Sequence, residues 1–155
     1  MIKRIWVAVI AVASMLGLGL FGVLASHSVS IEQMDRTGAQ NNFQEALASV
    51  PSPTPLVRRD ATGRFVRRAS IDPTGSRPTQ LHVLAFYAEG QRLARADVPL
   101  WLFKVKGPAV AYVLRGTGFD LDTLGLTARD LEQAGAGVVL DETRASGDRL
   151  LAWTN

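Results

Sequence analysis

The chain has 155 residues, with 17 Lys and Arg against 14 Asp and Glu, a formal net charge of +3, and no cysteine. That length suits one domain better than two. The missing thiols exclude disulfide bonds, thiolate catalysis and cysteine-ligated metal sites together, and so small a basic excess is compatible with anionic partners without specifying one.

In chain order, Lys3 and Arg4 come first, followed by residues 5–25 without a charged side chain. A helix of about 21 residues rises roughly 31 Å, enough for a hydrocarbon core about 30 Å thick. Ile5, Trp6, Val7, Leu16, Leu18, Leu20 and Phe21 carry the apolar character, while Gly17, Gly19 and Gly22 are tolerated in lipid. The expectation is a single N-terminal transmembrane helix in the inner membrane of a bacterial cell. Lys3 and Arg4 precede the run, whereas Arg36 beyond it sits among Glu32 and Asp35. The positive-inside rule then leaves the N-terminus in the cytoplasm and the C-terminal domain periplasmic. Val23-Leu24-Ala25 before Ser26 is a permissible signal-peptidase site, but the run exceeds the usual apolar core of a signal peptide, about 7–15 residues. An uncleaved signal anchor is the favoured reading; its alternative is a secreted binding protein with a cleaved signal peptide.

From residue 26 the chain turns polar and rich in Gln and Asn. Ile31, Met34, Phe43, Leu47 and Val50 make only a loose helical stripe, weakened by Gly38 and by Gln40-Asn41-Asn42. Residues 26–55 are therefore expected to be a spacer, helical at most over residues 42–49. The alternating Pro51, Pro53 and Pro55 favour an extended polyproline connector at its end. Residues 1–25 then form the anchor and residues 56–155 the extracytoplasmic domain.

Past Leu56 the pattern predicts short strands. Phe65 and Val66 follow a turn at Asp60-Ala61-Thr62-Gly63, and residues 72–78 read as a loop. In residues 80–88, Leu81, Val83, Ala85 and Tyr87 share one face and His82, Leu84, Phe86 and Ala88 the other. Both faces are mostly apolar, which predicts a central strand. After Glu89-Gly90, residues 91–97 return as its partner, ending near Pro99. Residues 100–106 place Trp101, Phe103 and Val105 opposite Lys104 and Lys106, predicting a strand with one wet side. Residues 109–114 read as a further strand.

Thr127-Ala128-Arg129-Asp130 predicts a capped helix that Gly135 stops. The chain closes with a hairpin of residues 138–143 and 149–154, with Leu151 and Trp153 on a shared face and Asp141 and Glu142 opposite Arg149 or Arg144. The sum is an α+β fold: a small, mostly antiparallel sheet with one or two short helices, preceded by the transmembrane helix.

No phosphate loop, dinucleotide-binding glycine pattern, nucleophile elbow or His-Glu-x-x-His occurs. No catalytic residue, metal ligand or cofactor is assigned on that basis. Of the two histidines, His27 follows the anchor and His82 shares a strand face with Leu84 and Phe86, where packing is its expected role. Ser70, His82 and Asp72 or Asp97 have the residue types of a hydrolytic triad, with nothing in the sequence to fix their geometry. Asp120 and Asp122 have metal-ligand or acid–base spacing, with Asp130 the one further ligand at hand; helix capping accounts for Asp120 and Asp130 without a metal and is the favoured reading.

The sharpest charge feature is Arg58, Arg59, Arg64, Arg67 and Arg68. Guanidinium groups grip carboxylates and phosphates through paired hydrogen bonds; they also keep edge strands from aggregating. Outside the inner membrane the fitting anions are lipid headgroups, an envelope polymer or the acidic face of an envelope protein. Nucleic acid does not fit, since Phe65 is the lone interleaved aromatic. The sequence thus points to a membrane-anchored envelope binding or assembly module, using the arginines together with Trp101 and Phe103. Its alternative is a small extracytoplasmic hydrolase using His82 or the Asp120 and Asp122 pair.

Overall fold

A computed structural model describes residues 29–68, 77–104, 114 and 116–155. The expected transmembrane helix lies outside these residues; among them no helix is long and apolar enough to cross a membrane.

Apolar side chains on both faces of β4 (Gln80–Tyr87) demand cover on both sides, and β4 duly lies in the middle of a five-stranded sheet. Its neighbours are β5 (Arg92–Pro99) and β7 (Arg149–Thr154); β1 (Val29–Gln33) and β6 (Gly137–Thr143) form the edges. The order is β1-β5-β4-β7-β6, with every neighbouring pair antiparallel. A separate two-stranded hairpin joins β2 (Val57–Arg59) to β3 (Phe65–Arg67). Helix α1 (Arg36–Ser49) and helix α2 (Ala128–Ala134) complete an α+β fold. The expected central strand, its partner and the C-terminal hairpin are all present.

Two cores result, one on each sheet face. Leu81, Val83 and Ala85 of β4, with Ala94, Ala96 and Val98 of β5, pack against Leu56, Val57, Leu100, Leu126 and Leu131. Leu84 and Phe86, with Leu93 of β5 and Leu151 of β7, pack against Ala39 and Phe43 of α1 and against Val50. Trp153 joins Leu151 on that second face, as the alternation of β7 predicts. A register shift between Val138 and Leu140 leaves Val139 as an extra residue, so Val139 and Leu140 both face the larger core while Val138 faces α1.

The structure differs from the sequence reading in two places. The composition of residues 29–50 predicts spacer; they instead supply edge strand β1 and the 14-residue helix α1. The apolar stripe of α1 is narrow, yet it carries Phe43, which is 1% exposed. Packing on the sheet outweighs the weak propensities of Gly38, Asn41 and Asn42. Gly38 in fact serves the helix start: its N–H donates to Asp35 Oδ1 at 2.9 Å, and a Cβ there would lie 2.9 Å from that same oxygen.

The second difference is at residues 100–104, where a 3₁₀ helix (Leu100–Lys104) replaces the expected strand. A short alternation satisfies a three-residue period too: Leu100 and Phe103 fall on one side of a 3₁₀ turn. Leu100 is buried and Phe103 packs against the larger core, while Trp101 points away and is 54% exposed. The strand expected at residues 109–114 lies outside the described residues, except for Leu114, which is helical rather than extended, and buried.

Helix α2 starts and stops as its sequence predicts. Thr127 Oγ1 accepts from the Asp130 N–H at 3.2 Å and Asp130 Oδ2 accepts from the Thr127 N–H at 2.8 Å. Gly135, with φ of 76°, ends it. The C-terminus is tied down by hydrogen bonds between Asn155 and both Thr79 and Gln80.

Candidate functional site

The arginine cluster is a real hairpin, and Asp60 builds its turn. Asp60 Oδ1 accepts from the Thr62 N–H at 2.8 Å, the Thr62 hydroxyl at 2.6 Å and the Arg64 N–H at 3.0 Å. The Thr62 hydroxyl, then the Arg64 N–H, hold its carboxyl below the usual value. Strand pairing sets Val57 against Arg67 and Arg59 against Phe65, leaving Arg58 against Val66 on the other face.

That alternation separates the five guanidinium groups. Arg59 Nε donates to Glu142 of β6 at 2.6 Å, and its guanidinium lies 4.3 Å over the Phe65 ring. Arg67 donates to Asp130 of α2 at 2.6 Å. Arg64 stays within its own turn, donating to Thr62 at 3.0 Å. Arg68 reaches the Thr54 carbonyl at 3.3 Å, with its Nε buried and unpaired. Arg58 is exposed beside Val66, itself 43% exposed. The cluster does not converge on one focus: Arg59 and Arg67 dock the hairpin onto the domain, and Arg58 with Val66 forms its outer surface. Ion pairs as exposed as these contribute little stability individually; their geometric role is to fix the hairpin's position.

Helix α2 connects this hairpin to Trp101 and Phe103. Asp130 holds Arg67, and Glu132 holds Lys104 of the 3₁₀ helix at 2.7 Å and Arg77 at 2.6 Å. The Lys104 and Arg77 bonds keep the Glu132 carboxyl below its usual value. One carboxylate between two cations leaves an excess of positive charge beside Trp101.

A third group comes from three adjacent strands. Register places His82 of β4 between Asp97 of β5 and Trp153 of β7. His82 Nδ1 meets Asp97 Oδ1 at 2.5 Å, and the imidazole stacks on the Trp153 ring with centroids 5.1 Å apart and planes at 19°. Burial works against a charged ring, but the bond to Asp97, aided by the nearby Asn155 side chain and the Asp97 charge, lifts the His82 pKa above its ordinary value of 6.5. Nε2 is buried and makes no well-formed hydrogen bond. A general base needs that second nitrogen open to a reacting hydroxyl or water; here it is sealed. Ser70 and Asp72 lie outside the described residues, as does His27.

Asp97→Asn removes the charge that offsets burial, so the His82 pKa is expected to fall to or below 6.5 in an NMR titration. A ring whose pKa is raised by folding stabilises the fold fully below its unfolded value, and that increment fades as pH rises through the folded pKa. The wild-type domain should therefore lose stability across that window above pH 6.5, and Asp97→Asn should not. An unchanged His82 titration in the variant would contradict the assignment.

Asp120 is occupied by its own turn, accepting from the Asp122 N–H at 3.1 Å and the Thr123 hydroxyl at 2.8 Å. Among the described residues no group of three or more His, Asp or Glu is placed to hold a metal ion. A groove of about 260 Å³ beside α1, lined by Arg36, Gln40, Phe43, Thr143 and Arg149, was invisible to the sequence reading because α1 itself was. Within it Arg149 is paired with Asp141 at 3.0 Å and lies 4.6 Å over the Phe43 ring. No protein-family model, curated protein or solved structure matches the chain.

Proposed function

We propose that the chain is a single-pass inner-membrane protein whose periplasmic α+β domain serves as a binding or assembly module in the cell envelope. The observation that carries this reading is the charge-free run of residues 5–25 behind Lys3 and Arg4, which favours lipid over water and export of the chain beyond it. Anchoring confines the domain to the membrane surface and raises its effective concentration there, strengthening weak contacts. Two surfaces support the binding half: the outer face of the hairpin with Arg58 and Val66, and the exposed Trp101 beside Phe103. The partner on the arginine side is an envelope protein or anionic envelope polymer.

A photo-reactive side chain at Arg58 of the full-length protein, activated in its own membrane, tests this. A discrete adduct is expected there and not from Glu32 of β1, the edge strand opposite β6, on which the hairpin docks. Equal background capture from both positions would contradict the reading.

The His82–Asp97 contact favours a second reading, a small hydrolase, because it supplies two of the three members of a triad. The buried Nε2 counts against it. Loss of a measurable hydrolytic activity in His82→Ala, with the domain still folded, would decide for the enzyme.

A further inference from the structure

The first described strand begins almost where the apolar run stops. Val29 opens β1, and residues 26–28 alone separate it from Ala25, the last residue of that run. Extended chain covers at most about 14 Å from Ala25 to Val29. Val29 pairs with Ala96, close to the end of β5 at Pro99. A polar spacer as long as residues 26–55 would have let the domain float; a link this short does not.

The same end of the sheet carries an unusual group. The 3₁₀ helix leaves β5 directly after Pro99, and the Leu100 N–H donates to Thr79, just ahead of β4. Trp101 there is 54% exposed, the largest side chain so placed among the described residues. Beside it Lys104 and Arg77 share the single carboxylate of Glu132. An exposed tryptophan flanked by surplus cations is the composition that settles at a lipid headgroup layer, where the ring straddles apolar and polar zones. The opposite end, with the Ala88–Gln91 turn and the loop at residues 144–148, exposes no large apolar side chain among the described residues.

We infer that the end of the sheet bearing Trp101, Lys104 and Arg77 rests on the membrane surface, so that the domain stands on the bilayer with its strands directed away from it. This rests on the anchor reading above, and assigns Trp101 to lipid rather than to a protein partner. The arginine hairpin is then the surface left for the envelope partner.

The chain has no cysteine, so a single introduced thiol reports one position. Thr79→Cys and Glu89→Cys, both at exposed sites, mark the two ends of β4, which its eight residues separate by roughly 25 Å. Each full-length variant is labelled with a fluorophore and reconstituted into vesicles of phosphatidylethanolamine and phosphatidylglycerol containing headgroup-nitroxide lipid. Quenching at residue 79 is expected to exceed that at residue 89 several-fold, and adding Trp101→Ser should reduce the difference. Co-flotation with the vesicles but equal quenching at both ends would overturn the orientation while leaving the anchor intact. Failure to float with the vesicles would overturn the anchor, and the orientation with it. Circular dichroism of each variant checks that the fold is retained. If Thr79→Cys fails to fold, Gln80→Cys, also exposed and one residue further along, reports the same end.

Discussion

Phe43→Ala is expected to destabilise the domain of residues 29–155 by about 3–5 kcal/mol, the usual cost of removing a buried aromatic ring and leaving its space. Phe43 is 1% exposed and sits among Leu84, Phe86, Leu93 and Leu151, with the Arg149 guanidinium over its ring. It is also the main apolar contact that α1 makes, so the substitution reports whether residues 36–49 belong to the folded unit. Denaturant unfolding at unchanged slope measures it. A companion chain starting at Leu56 loses α1 and β1 together, uncovering that whole sheet face and the outer side of β5, and should not fold cooperatively. A loss below about 0.5 kcal/mol for Phe43→Ala, the range of a surface substitution, would contradict the packing described.

The sheet was legible where local pattern and tertiary demand agree. Two apolar faces on residues 80–87 announced a central strand, and the alternation of residues 149–154 placed Leu151 and Trp153 together. The α2 cap was readable because Thr127 and Asp130 satisfy each other locally. Helix α1 was not readable, since its stability comes from the sheet it covers, and its own sequence carries Gly38 and a run of Gln and Asn. At residues 100–104 two periods fit equally well, and the buried site awaiting Leu100 and Phe103 chose the 3₁₀ turn.

The candidate sites show the same division. Five arginines in sequence suggested an anion-binding segment or a charged edge strand; in the fold, strand alternation and three separate carboxylates, Glu142, Asp130 and Asp60, set them apart. That Glu142 meets Arg59 and Asp130 meets Arg67 is a long-range fact that spacing cannot supply. Asp141 and Arg149, joined by a short hairpin, were readable as a pair. His82 needed the register of three strands before Asp97 and Trp153 became its neighbours.

The second large effect concerns the proposed anchor. Replacing both Leu16 and Leu18 by Arg puts two guanidinium groups in the middle of the apolar run, each costing about 2.5–3.5 kcal/mol at a membrane-helix centre. Together they should abolish stable insertion, moving the protein from the alkali-resistant membrane fraction to the soluble fraction. Replacing Leu16 and Leu18 by Ile instead should leave it in the membrane. Retention of the double-Arg chain in carbonate-washed membranes would mean that something other than residues 5–25 holds it there.

Sidedness is the claim on which the functional reading stands, and a chain without cysteine allows it to be read at one atom. Ala145→Cys places a lone thiol in the exposed loop between β6 and β7. In cells whose outer envelope has been opened but whose inner membrane is intact, a membrane-impermeant maleimide should label that thiol fully, with no further gain after the inner membrane is broken. Labelling that appears only after lysis would put the domain in the cytoplasm and contradict the proposed export.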